Sequence, residues 1–171
     1  MSEDVDVYDE DEAQAEGTSS AHDGATNEAA PGAEEAEVHY PSFAVVGVAN
    51  VHMTLPDQYP SVVLAEQVLP FRSLVFPVSL ADGAAIAAVL EDRPSPRPSS
   101  QDLLGQILAG MNIDVVAARI TAKVNGTYLA ELDLMGPAGR LVVSCRPSDA
   151  INAALRSASR APMLVDVELF E

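Results

Sequence analysis

The chain has 171 residues, and at roughly 100–200 residues per domain this length leaves room for one core. Its net charge of −17 is unevenly placed: residues 1–38 hold 13 of the 26 acids and no Lys or Arg, so that segment carries −13 and residues 39–171 carry −4. A hydrophobic content of 48% excludes a wholly disordered chain, one cysteine excludes an intramolecular disulfide framework, and no run approaches the roughly 18 apolar residues of a membrane helix.

The acidic opening Met-Ser-Glu-Asp is the reverse of a basic signal-peptide start, and the lone Cys145 suits a reducing compartment, so a soluble cytoplasmic protein without membrane attachment is expected. Residues 1–38 lack the large apolar side chains that would offset the entropy of ordering. They read as a disordered acidic tail, either a solubilising extension or an electrostatic mimic of nucleic acid. Residues 39–171 read as the domain. No basic patch drives non-specific nucleic-acid binding, so any DNA or RNA partner must be met at a local site.

Three segments rich in Val and Phe, Phe43 to Val51, Ser61 to Val68 and Ser73 to Val78, are separated by Pro and Asp and predict strands. Leu80 to Glu91 predicts a helix with Ile86, Val89 and Leu90 on one face and a small-residue run, Gly83 to Ala85, suited to close packing on a sheet. Residues Asp92 to Ser100 hold three prolines and predict a loop. The next helix places Leu103, Leu104, Ile107, Leu108 and Met111 at the spacing of a buried stripe and stops near Gly110 and Asn112.

Asn125-Gly126 between Ile113–Val124 and Thr127–Met135 is a type I′ hairpin signal, because the turn needs two residues at positive φ. In the second of these strands Tyr128, Ala130, Leu132 and Leu134 alternate with Leu129, Glu131 and Asp133, which predicts one wet face. A further strand over Arg140 to Cys145, a helix over Ser148 to Ser159 and a closing strand over Pro162 to Val167 complete the chain. Strands outnumber helices and tight turns join several of them. The expected class is α+β, a mostly antiparallel or mixed sheet packed with about three helices.

Each helix start brings a Ser and an Asp together: Ser79 with Asp82, Ser100 with Asp102, and Ser148 with Asp149. Capping accounts for such pairs, since the Ser oxygen takes an orphan amide and the Asp complements the helix dipole. The functional alternative is that the helix starts converge on a cleft, where amides hold a phosphate and carboxylates hold a divalent cation. Arg146-Pro-Ser-Asp149 sharpens the choice: Arg146 either clamps a phosphate with its planar fork or pairs with a carboxylate such as Asp149. His22, His39 and His52 lie toward the N-terminus, which leaves Cys145 without an activating base and favours a small buried strand residue there. No zinc spacing and no phosphate-binding glycine loop occurs.

From about Ser61 to Val167 the sequence resembles the bifunctional nuclease domain family, small bacterial and plant domains credited with DNase and RNase activity. The resemblance rests on Arg146-Pro-Ser-Asp-Ala-Ile151 followed by Ala153-Ala-Leu-Arg156, and on Ala161-Pro162. Ala85-Ile86, Arg97-Pro98 with Asp102-Leu103, and Gly126-Thr127-Tyr128-Leu129-Ala130 also match. It implies metal-assisted phosphodiester hydrolysis with Mg²⁺ or Mn²⁺, in which Asp82, Asp102 and Asp149 are candidate ligands or base, Arg146 stabilises phosphate charge and Ser148 orients it. Four positions depart from the family pattern: Ser79 and Asp82 replace Gly and Glu, Gln101 replaces a His, and Ser144 replaces an Asp. These losses raise the alternative of a degenerate member acting as a binding or regulatory module. Apolar strand edges also raise the expectation of a homo-oligomer.

Overall fold

The computed structural model describes residues 42–93 and 97–170; the acidic segment expected to be disordered lies outside the described residues. Strands β1 (Phe43–His52), β2 (Ser61–Glu66) and β3 (Ser73–Pro77) are followed by helices α1 (Leu80–Leu90) and α2 (Ser100–Gly110). Then come β4 (Asp114–Val124), β5 (Thr127–Gly136), β6 (Gly139–Cys145), α3 (Pro147–Arg156) and β7 (Met163–Asp166), with a final 3₁₀ turn over Val167–Leu169. The strands form a single seven-stranded sheet in the order β3-β2-β1-β7-β4-β5-β6. Every neighbouring pair is antiparallel except β4 and β7, which run parallel, so the fold is α+β with a mixed sheet.

The expected β4–β5 hairpin forms with Asn125 and Gly126 at φ of 50° and 80°, the left-handed pair that its tight turn demands. The wet face of β5 needs a correction: Asp133 is only 2% exposed, because Arg119 Nη1 donates to it at 3.1 Å and Arg140 clamps it from Nε and Nη2 at 2.7 and 2.6 Å. Those arginines hold its carboxyl below the usual carboxylate range, the Arg140 hydrogen bonds outweighing the opposing cost of burial.

One continuous core runs under the sheet, from Val62, Leu64, Leu74 and Phe76 at one end to Leu132 and Leu134 at the other, with Ile86 of α1 and Ile151 and Ala154 of α3 packed into it. Helix α3 is the hub, contacting β4, β5, α1 and α2. Helix α2 overturns the expectation of a buried stripe: none of its residues is buried, and Leu103, Leu104 and Ile107, with Met111 just beyond it, are exposed while Leu108 packs against the core. Its apolar spacing is real, but α2 lies mainly against α3 and so has too little surface opposite it.

Where the chain comes back to β3, Glu66 is buried and takes three hydrogen bonds from Arg72, at 2.7, 3.2 and 2.8 Å. The Arg72 guanidinium lies 4.6 Å from the centre of the Phe170 ring, which fastens the C-terminal turn to the β2–β3 connection.

Helix α1 approaches the preceding loop at Gly83, where an added Cβ would sit 2.7 Å from Pro60 Cγ and 3.2 Å from Pro60 Cβ. Gly83→Ala improves helix propensity by about 1 kcal/mol, whereas overpacking costs about 1–3 kcal/mol. The substitution is therefore expected to lower the urea midpoint. A midpoint at or above that of the native chain would show that Pro60 yields without cost.

Candidate functional site

Helix α1 starts at Ser79, whose hydroxyl accepts from the Asp82 amide at 3.1 Å and donates to Asp82 Oδ2 at 2.7 Å. Helix α3 starts at Arg146, which has no side-chain cap; Pro147 occupies the first turn, where its missing amide proton costs nothing. Ser148 therefore does not cap its own helix, contrary to expectation. It is buried, and its hydroxyl lies 3.3 Å from the same Asp82 Oδ2, reaching across to the start of α1.

Asp82 is thus a carboxylate only 6% exposed, facing two hydroxyls and, at 3.4 Å, Arg146 Nη1. The remaining face of Arg146 is taken by Asp149, with Nε donating at 2.8 Å and Nη2 at 2.7 Å. Of the two readings of Arg146, the pairing with Asp149 is the one present in the structure. The pair raises the Arg146 pKa still further, so the guanidinium stays charged. Its side chain is nevertheless 64% exposed.

This cluster borders a cavity of about 310 Å³ whose walls include Phe76, Pro77 and Val78, the hairpin residues Gly126, Thr127 and Tyr128, and Ser79, Asp82, Arg146 and Ser148. Asp82, Ser148, Arg146 and Asp149 are therefore brought together, so that two of the three helix starts meet.

Asp102 does not join them. It closes a capping box at the start of α2, but with Ser99 rather than Ser100 as the cap: Ser99 Oγ accepts from the Asp102 amide at 3.2 Å, and the Ser99 amide donates back to Asp102 Oδ2 at 2.7 Å. Its other oxygen takes Arg156 Nε at 2.7 Å, at the far end of α3. Eight residues separate Ser148 from Arg156, about 12 Å along a helix axis. The remaining nitrogens of Arg156 reach Asn152 Oδ1 at 2.7 Å and the Ala85 carbonyl at 3.2 Å, tying all three helices.

A divalent cation finds no ready cage. Among the described residues no three His, Cys, Asp or Glu are grouped to hold a metal ion, and Asp82 and Asp149 already share one guanidinium. The donor set does not fit the expected Mg²⁺ or Mn²⁺.

Of the sequence departures, Ser79 and Asp82 belong to the cluster, whereas Gln101 and Ser144 lie outside it. Gln101 adjoins Asp102 on α2, and Ser144 pairs with Glu131, on the sheet face opposite the Ala130–Cys145 pair that packs toward the core. Cys145 is half-buried, and burial, reinforced by Asp149 and Glu131, pushes its thiol up to about 11, which keeps it protonated and unreactive near neutrality. Sequence reasoning missed Thr127 and Tyr128 as cavity walls; only the hairpin's placement beside β3 reveals them, through the 5.4 Å separation of the Phe76 and Tyr128 rings.

The Arg156 hydrogen bond, followed by the Ser99 bonds, lowers Asp102 from 3.8 to about 2. A depressed folded-state pKa stabilises above the unfolded value and is lost as pH falls through the folded one. Asp102→Asn should therefore be less stable than the native chain at neutral pH, with the gap closing between 3.8 and about 2 in thermal melts. A gap that stays constant across that range would show that the Asp102 charge does not contribute.

Residues 62–171 match the family model described as the bifunctional nuclease domain. Two curated proteins of Mycobacterium tuberculosis strains, "Uncharacterized protein MT1877" and "Uncharacterized protein Rv1829", are each 30% identical over 111 residues, 65% of this chain and 65% of their own length. The chain thus spans about 65% of the curated relatives it matches, and their printed names assign no reaction. With the matched region running from β2 through the helices that build the Asp82 cluster to the C-terminal residue, the chain belongs to the bifunctional nuclease domain family.

Proposed function

We propose that the chain hydrolyses phosphodiester bonds of nucleic acid at the Asp82–Arg146–Ser148 cluster. The observation that carries this reading is the convergence of the starts of α1 and α3 on one buried carboxylate beside an open arginine and a cavity. In the proposed reaction the phosphate displaces Asp149 from Arg146, whose planar fork matches phosphate as well as carboxylate. Water then attacks phosphorus, its proton passes to Asp82, the P–O ester bond breaks, and the leaving oxygen takes a proton from solvent. Ser148 and Ser79 hold the Asp82 carboxylate in place, and the guanidinium offsets charge that grows on the phosphoryl oxygens.

A second reading, a binding or regulatory module without turnover, is favoured by one observation: Arg146 is already neutralised by two carboxylates and, among the described residues, no third acid joins them. Self-association suits β6, an edge strand on which Leu141, Val142 and Val143 are all exposed, and edge strands of this kind pair with other chains unless covered.

The purified chain, given single- and double-stranded DNA and RNA with and without Mg²⁺ or Mn²⁺, should release fragments. Asp82→Asn should slow cleavage by about 10²–10⁴-fold, the usual contribution of a general base. Cleavage undiminished in that variant would remove Asp82 from the reaction. Oligonucleotide binding with no cleavage by the native chain would select the module.

A further inference from the structure

We propose that the cavity beside Arg146 is a subsite for one unstacked nucleobase, so that the chain acts on single strands or frayed ends in preference to intact duplex. The inference rests on the nucleic-acid reading of the Asp82 cluster and goes on to name the form of its substrate.

The cavity is two-sided in chemistry. Phe76, Pro77 and Val78 come from the end of β3 and the link to α1, and Tyr128 from the hairpin; together they supply apolar and aromatic wall. Arg146 and Ser148 at the start of α3 supply the polar part, with Ser79 and Asp82 of α1. A ligand that satisfies both parts carries a flat apolar body joined to an anion. A nucleotide has that make-up: a base to lie against Tyr128 and a phosphate to meet Arg146.

Size restricts the form further. A volume of about 310 Å³ lies at the lower end of the about 300–1,000 Å³ range of ligand cavities, which is room for one nucleoside unit and not for a base pair. In a duplex the base is held in the stack, and a pocket of this kind is reached only by an extruded or unpaired one. The turn that carries this wall is kept slim by Gly126, whose φ of 80° suits glycine and which lines the cavity without a side chain.

Stacking of a base on an aromatic side chain changes affinity by roughly tenfold or more and is tolerant of base identity. Calorimetric titration of the full chain with AMP, CMP, GMP and UMP, with ribose 5-phosphate as the base-free probe, should therefore show all four nucleotides binding about tenfold tighter than the sugar phosphate. That margin should vanish in Tyr128→Ala. Because Tyr128 also packs on Phe76, Thr127→Trp, which fills the cavity from an exposed hairpin position, should abolish it too while leaving the thermal melt in place. On oligonucleotides, the native chain should cleave a single strand at least about tenfold faster than the matching blunt duplex.

Ribose 5-phosphate binding as tightly as the nucleotides, no binding of either, or equal cleavage of duplex and single strand would overturn the base subsite while leaving hydrolysis by Asp82 standing. A tenfold base preference without cleavage of any substrate would support the subsite and reject the hydrolytic reading instead.

Discussion

A carboxylate removed from water has to be compensated where it stands, and the arrangement around Asp82 follows from that requirement. Part of the compensation is local, from Ser79 one turn earlier, and part comes from Ser148 and Arg146, whose hydrogen-bonding and charged groups arrive from 66 and 64 positions further along the chain. The same carboxylate therefore ties the start of one helix to the start of another. With α1 also pressed on Pro60 at Gly83, little sliding of α1 against α3 is open to it. The opening beside Arg146 is bounded on one side by this locked pair and on the other by a hairpin.

The acids that resembled one another as letters are sorted by their arginines. Asp149 belongs to Arg146, Asp102 to Arg156, and Asp133 to Arg119 and Arg140, so a domain rich in acids leaves few of them uncommitted. Helix α3 has different ends in consequence. Its N-terminal end presents a largely exposed guanidinium to a cavity, while at its C-terminal end the Arg156 side chain is only 10% exposed and is spent on joining helices.

Local chemistry was readable where it was local. The Asn125-Gly126 turn, the strand segments and the end of α1 all depend on neighbours within a few residues, and they form nearly where the pattern places them. The stripe on α2 shows the limit of that reading: spacing reports that a helix has an apolar side, and only the rest of the fold decides how much protein covers it. The site splits along the same line. The Arg146-Pro-Ser-Asp149 word marked the correct helix start, and the clustering of Asp82 with it needed the fold. Asp102 has the same letter pattern as Asp82, and what separates them is which end of α3 each helix start meets.

Strand β7, last in sequence, lies between β1 and β4 and joins two otherwise separate antiparallel groups, β3-β2-β1 and β4-β5-β6. Each group is built from neighbours in the chain, so each can assemble early and at small loop-closure cost. The sheet as a whole cannot close until Met163–Asp166 is available, after both of the groups it joins have been made. Until then the edges of β1 and β4 that β7 covers stay unpaired, and β7 is the keystone that commits both groups to one sheet.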